Sequence, residues 1–383
     1  MPTAGPLYAW GANHTGLLGR GPGDDISTPV KVEDLPPIID VAAGQLHVLA
    51  LTPEGEVWSW GWDTDCNLLG QPDADGDDPW LTTWHRRNGM GHTMERLSSD
   101  AGVLRPRPVR ELPPVRQIAA SSGNSFVLTE TGEVWVWGSA AGLGKKARNN
   151  QPSPVRIEAL SDIVEIAMAP AGEAFYARDA LGQVWSWGNG HEGELGHGKR
   201  RFQAVPEIIP GLNDIESIIA GEFHCWFKTR SGDLLFCGNG QGLNIQQRNS
   251  LRIREPKLID TYGHNLEVFN YGIFAFFRDA QGRVQAPGHA AICEMFNWEI
   301  REAESVELPW LAPFAQLSLG SRHGLGVTPE GTLYSFGDAG SGALGNGCTQ
   351  EQTFFLPLEV PCPGKVIKAR AGNGVSFTIL QPA

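Results

Sequence analysis

Short apolar-rich runs, such as His47 to Thr52 and Val57-Trp58-Ser59-Trp60, alternate along the chain with turns rich in Gly, Pro and Asp. Runs of this length bounded by such turns predict β-strands. Four of the runs end on Trp-Gly, at Trp10-Gly11, Trp60-Gly61, Trp137-Gly138 and Trp187-Gly188, and weaker copies stand at Cys237-Gly238, Pro287-Gly288 and Phe336-Gly337. The glycines are 50, 77, 50, 50, 50 and 49 residues apart. Seven units follow, and the second carries an insertion over residues 71–98.

Each unit repeats one order. A Gly-rich turn (Gly16-Leu17-Leu18-Gly19-Arg20-Gly21, Gly193-Glu194-Leu195-Gly196-His197-Gly198) precedes a Pro-containing strand, read in the first unit as Pro29 to Leu35. A second strand ends in small residues, Val41-Ala42-Ala43-Gly44, and a third, His47 to Thr52, turns through Pro53-Glu54-Gly55 into a fourth. That last turn, repeated at Thr129 to Gly132, Arg178 to Gly182, Thr229 to Gly232 and Thr328 to Gly331, fits a type I hairpin with a Gly bulge. Four short antiparallel strands in about 50 residues is the period of a propeller blade, whereas a β-solenoid has a shorter one. The chain begins in a fourth-strand sequence, Leu7 to Trp10, and ends in a third-strand sequence, Phe377 to Leu380, so each end supplies the other's missing partner. The expectation is an all-β, seven-bladed β-propeller, one domain over residues 1–383, closed by pairing of the N-terminal strand with the C-terminal blade.

Composition sharpens this. The 48 glycines among 383 residues suit seven sets of turns, and 41% hydrophobic against 19% charged residues describes a buried core. A balance of 30 Lys+Arg against 43 Asp+Glu gives a net charge of −13, which disfavours nucleic acid. No apolar run approaches the roughly 18 residues of a membrane span, and the N-terminus has no signal-peptide pattern. Six cysteines without a C-x-x-C pair read as reduced thiols of a soluble, cytoplasmic monomer. Cys225 and Cys237 fall opposite one another if Thr229 faces Asp233 across the hairpin.

The aromatic-Gly, the G-x-L-G-x-G turn, the Pro-led strand and the small-small-Gly-x-x-His step together resemble the repeats of the regulator of chromosome condensation family. The His of that step stands at His47, His224 and His323, with Phe126, Phe175, Ala275 and Val375 read in its place elsewhere. The resemblance implies a propeller that grips another macromolecule on one face, as in relatives that act as exchange factors, photoreceptors, ubiquitin-ligase adaptors and bacterial effectors or inhibitors. The photoreceptor's Gly-Trp-Arg-His-Thr motif has no counterpart in Gly44-Gln45-Leu46-His47 or Gly320-Ser321-Arg322-His323, which argues against photoreception. The basic tail of the chromatin-bound exchange factor has none either.

Candidate binding residues lie in the turns. The insertion holds Asp73, Asp75, Asp77 and Asp78, but a calcium loop starting at Asp73 would have Asp78 where Gly is needed and Trp84 where Glu is needed. After it, Asp78 and Pro79 can start a short helix that places Trp80 and Trp84 on one face and Arg86 and Arg87 at its end. These residue types dominate binding hot spots, although the two Trp can equally fold back as a cover. Lys145, Lys146 and Arg148 in unit three, Lys199, Arg200 and Arg201 in unit four, and Arg248, Arg252 and Arg254 in unit five occupy corresponding turns. They form either a basic arc for an acidic protein partner or ordinary solvated charge. Unit six lacks the G-x-L-G-x-G turn. No G-x-S-x-G, H-E-x-x-H or P-loop pattern occurs, so neither catalytic residues, cofactor nor metal is expected. The reading is a non-catalytic protein-binding module; the alternatives are a guanine nucleotide exchange factor, with the insertion as its wedge, and a bacterial inhibitor or immunity protein.

Overall fold

In the computed structural model, residues 3–63, 68–70, 102–144, 149–168, 172–240, 252–271, 274–287, 305–349 and 353–382 are described. Among them, 28 strands form seven four-stranded antiparallel sheets. Blade 2 contains β3 (Asp40–Ala43), β4 (His47–Leu51), β5 (Val57–Asp63) and β6 (Gly102–Pro108). Blade 3 contains β7 (Val115–Ala120), β8 (Asn124–Thr129), β9 (Val134–Gly138) and β10 (Gln151–Arg156). Blade 4 contains β11 (Ile163–Met168), β12 (Ala174–Asp179), β13 (Val184–Gly188) and β14 (Gln203–Ile208). Blade 5 contains β15 (Ile215–Ala220), β16 (His224–Thr229), β17 (Leu234–Asn239) and β18 (Arg252–Leu258). Blade 6 contains β19 (Glu267–Tyr271), β20 (Phe274–Arg278), β21 (Val284–Pro287) and β22 (Ser305–Glu307). Blade 7 contains β23 (Gln316–Leu319), β24 (His323–Val327), β25 (Leu333–Asp338) and β26 (Thr353–Glu359).

Blade 1 is shared between the two ends. β1 (Leu7–Gly11) and β2 (Ile26–Lys31) complete β27 (Val366–Ala371) and β28 (Val375–Leu380), in the order β2-β1-β28-β27. Leu7 faces Ile379 and Trp10 faces Ser376 across the joint. The first strands β27, β3, β7, β11, β15, β19 and β23 touch in succession and return to β27, which closes the ring.

The core lies between blades. Seven buried clusters each draw on two neighbours, as Leu7, Val41, Trp60 and Phe377 do for blades 1 and 2. The repeat Trp sews these seams. Trp60 Nε1 donates to Leu17 O at 2.8 Å, Trp137 Nε1 to Leu68 O at 2.8 Å, Trp187 Nε1 to Gly142 O at 3.1 Å and Trp10 Nε1 to Ala343 O at 2.8 Å. Each acceptor is the Gly-rich turn of the preceding blade. In blade 5, where Cys237 replaces Trp, its Sγ donates to Glu194 O at 3.0 Å instead.

The repeat Gly is obligatory for a local reason. Gly61 and Gly238 have φ of 112° and 108°, at a bulge in the third strand, and a Cβ there would stand 2.6 Å from Leu46 O and 2.3 Å from Phe223 O. Two readings from the sequence need correction. The outer strand of blade 1 runs from Ile26 to Lys31, not from Pro29 to Leu35, because an edge strand tolerates Pro at its centre and Asp34 (φ 61°) has already left the strand. Pairing with the repeat Gly also shows that the His position is filled by Asn124 and Ala174, not by Phe126 and Phe175. Thr229 to Asp233 closes as read, and Cys225 faces Cys237, both as buried free thiols.

Candidate partner-binding face

Antiparallel pairing sorts the connections onto two faces. On one face, the first-to-second strand turn meets the start of the Gly-rich turn: Ala12 N donates to Gly374 O, Trp62 N to Leu46 O, Asn189 N to Glu173 O and Asn239 N to Phe223 O. On the other, the second-to-third strand hairpins meet the chain entering the next blade, as Val115 N does Gly55 O and Val366 N does Gly331 O. The described Gly-rich turns therefore share one rim, and the Lys199 to Arg201 turn belongs to it.

Blades 4 and 5 bring part of the basic arc together. The blade 4 turn lies over the outer strand of blade 5, with Gly198 N donating to Arg254 O at 2.9 Å. Lys199, Arg200 and Arg201 follow directly, so they stand beside Arg252 and Arg254, and all five are exposed. The half-buried carboxylate of Glu192 joins the two groups, pairing with Arg252 and lying 3.6 Å from Arg200; it also accepts from Asn239 Nδ2 at 3.2 Å. Arg200 Nε donates to His191 O at 2.5 Å. Glu194, in the same turn, is buried, and burial pushes its carboxyl up to about 7. Its carboxylate accepts from Glu192 N at 2.8 Å, which ties the shape of the turn to a titrating group.

Trp80, Trp84, Arg86, Arg87, Lys145, Lys146, Arg148 and Arg248 lie outside the described residues, as do the acidic positions 73–78. Two aromatic residues beside the basic group escaped the sequence reading. Phe202 and Phe223 are exposed at 45% and 38%, respectively. Phe202 directly follows Arg201 and Phe223 precedes the buried His224, so both carried a signal in the alignment of units.

The histidines of the Gly-x-x-His step are structural. His47 and His323 lie buried with Nε2 2.8 Å from Ser125 Oγ and Ser376 Oγ. Each serine gives its only proton to a carbonyl, Leu68 O or Ala343 O, so the imidazole must be the donor. Those are the carbonyls that also receive Trp137 and Trp10. His, Ser and Trp thus converge on one turn from two blades.

Against this geometry, the family model of the RCC1-like domain matches residues 7–378. The chain belongs to the RCC1-like family. The guanine nucleotide exchange factor SRM1 of Saccharomyces cerevisiae is 25% identical over 91% of this chain and 80% of its own length. The RCC1 domain-containing protein RUG3, mitochondrial, of Arabidopsis thaliana is 32% identical over 56% of this chain, which spans 42% of that protein. Among solved structures, Prp20p from Saccharomyces cerevisiae, described together with its binding properties to Gsp1p and histones, superposes with a TM-score of 0.78 at 22% identity, over 100% of this chain and 93% of that one. That likeness carries the fold. Family membership leaves the compartment open, since RUG3 is named as mitochondrial; among the described residues of this RCC1-like chain no helix is long and apolar enough to cross a membrane.

Proposed function

We propose that this RCC1-like propeller is a guanine nucleotide exchange factor for a small GTPase, held against the rim of Gly-rich turns. The observation that carries the proposal is the similarity to SRM1, which runs along nearly the whole ring and most of SRM1 itself. Exchange makes and breaks no covalent bond, so it needs a shaped, charged surface and no nucleophile or general base. The cluster of Lys199, Arg200, Arg201, Arg252 and Arg254 supplies positive charge on a chain of net −13, suited to an acidic patch of the partner. Trp80, Trp84, Arg86, Arg87, Lys145, Lys146, Arg148 and Arg248 join this proposed surface through their turn positions.

The linkage is reciprocal. A protein that lowers a GTPase's affinity for nucleotide must itself bind the nucleotide-free form more tightly, by the same factor. The propeller should therefore co-elute with a nucleotide-free GTPase on gel filtration and be released by added GDP. Arg200→Glu/Arg201→Glu should weaken that complex about tenfold, the equivalent of roughly 1.4 kcal/mol. Equal affinity for the nucleotide-free and GDP-loaded forms would remove exchange from the account. It would leave the second reading, a binding module without exchange, which is favoured by the match to part of the longer RUG3.

A further inference from the structure

Blades 4 and 5 differ from the rest of the ring on their outer edge. Among the described residues, seven large hydrophobic side chains are exposed, and six of them (Leu181, Phe202, Val205, Ile208, Phe223 and Leu258) fall within these two blades. Register makes the contrast specific. Ile208 pairs with Trp185 and Leu258 with Leu235, at the end of the outer strand. The same position in the other five blades holds Lys31, Pro108, Arg156, Glu307 and Glu359. Ile208 is 48% exposed and Leu258 53%. Two neighbouring blades therefore place a branched aliphatic in solvent where the others place charge or proline.

The opposite ends of these two strands are cationic. β18 starts at Arg252 and Arg254, beside the Lys199 to Arg201 turn, and runs to Leu258. The rim is thus polar in a directional sense, basic at the turn face and apolar at the hairpin face. Six steps of extended chain separate Arg252 from Leu258, about 20 Å at roughly 3.3 Å per residue. Pro206 and Pro256 sit within β14 and β18 and remove backbone donors from the edge, so a ligand here is read by side chains and not by strand addition.

We propose that the outer rim of blades 4 and 5 is a second docking surface, sharing its basic end with the proposed GTPase-binding face and running beyond it to the hairpin face, for an extended acidic segment of another protein. Acidic residues at one end of the segment meet Arg252, Arg254 and the Lys199 turn. Apolar side chains about six residues away, set by the strand rise, pack on Leu258 and, on the outer strand of the neighbouring blade, on Ile208. Charge complementarity selects this occupant: the chain as a whole repels acidic ligands, and the exposed basic group on these strands reverses that locally.

The probe is a fluorescein-labelled synthetic peptide with glutamates at one end and leucines about six residues further on, titrated into the full chain by anisotropy. Saturable binding is expected. Leu258→Glu and Ile208→Glu, at exposed positions that leave the unfolding midpoint unchanged, should each weaken it at least tenfold, and Arg254→Glu should do the same while flattening its salt dependence. Nucleotide-free GTPase binding by Leu258→Glu should stay at the wild-type level, which separates this surface from the exchange reading. The proposal is overturned by absence of saturable binding, by equal affinity for a scrambled peptide, or by wild-type affinity in the Glu variants. It is also overturned if sedimentation shows a wild-type dimer that Leu258→Glu dissolves, since the rim would then hold a second copy of this chain.

Discussion

Gly61 illustrates how strictly single residues are specified in this ring. Its φ of 112° lies where L side chains are strained, and an added Cβ would meet Leu46 O at 2.6 Å. Gly61→Ala should lower unfolding stability by at least about 2 kcal/mol in urea titrations. The buried imidazoles make a second claim at this scale. Burial holds His47 down to about 3 and His224 and His323 to about 4, so the native chain refuses protons that the unfolded chain takes up below 6.5. Stability is then lost as pH falls from 6.5 towards 4, by roughly 2 kcal/mol per histidine at pH 5. Glu194, raised to about 7, acts in the opposite sense, favouring the native state as pH falls from 7 towards 4.5. Replacing one histidine isolates its share: between pH 7.5 and 5, His323→Gln should lose about 2 kcal/mol less than wild type. These roles were only partly legible in the sequence. Gly recurs because the same strain and close approach recur in the six blades whose repeat Gly is described, whereas the serine partners of His47 and His323 lie in the next unit, and no local pattern links them.

At the scale of the element, the hairpin and the seam carry the fold. The three-residue hairpins were readable because type I geometry followed by a left-handed residue demands Gly, and Gly55, Gly132, Gly182, Gly232 and Gly331 all have φ between 83° and 95°. The outer strand was misplaced because Pro marks an edge without marking an end. The Cys225–Cys237 pairing came correctly from hairpin arithmetic, since register is fixed by loop length. Which outer strands expose Ile208 and Leu258 was not legible, because irregularities in the β13–β14 and β17–β18 pairings shift the register before those residues are reached. Closure depends on β1 and β2, which cover the fully buried Phe377 and Ile379. A chain beginning at Glu33 should lose its cooperative thermal transition, followed by near-UV circular dichroism, because the exposed β28 edge and both adjoining core clusters lose their partner strands.

For the molecule as a whole, seven interblade core clusters build the closed ring, and individuality is left to its turns and outer strands. The repeat period and the chain ends therefore revealed the architecture, while the partner is written in turn residues that vary from blade to blade and obey no period. Net charge alone argued only for what the chain avoids. The ring shows where the exceptions gather, at Lys199 to Arg201, Arg252 and Arg254, joined through Glu192. The most direct test of the proposed activity is release of a fluorescent GDP analogue from a panel of small GTPases with and without the full chain. The account predicts that one of them releases nucleotide at least about tenfold faster, with the acceleration falling as salt rises because the basic rim is screened. Unchanged release from every GTPase at saturating propeller would contradict it.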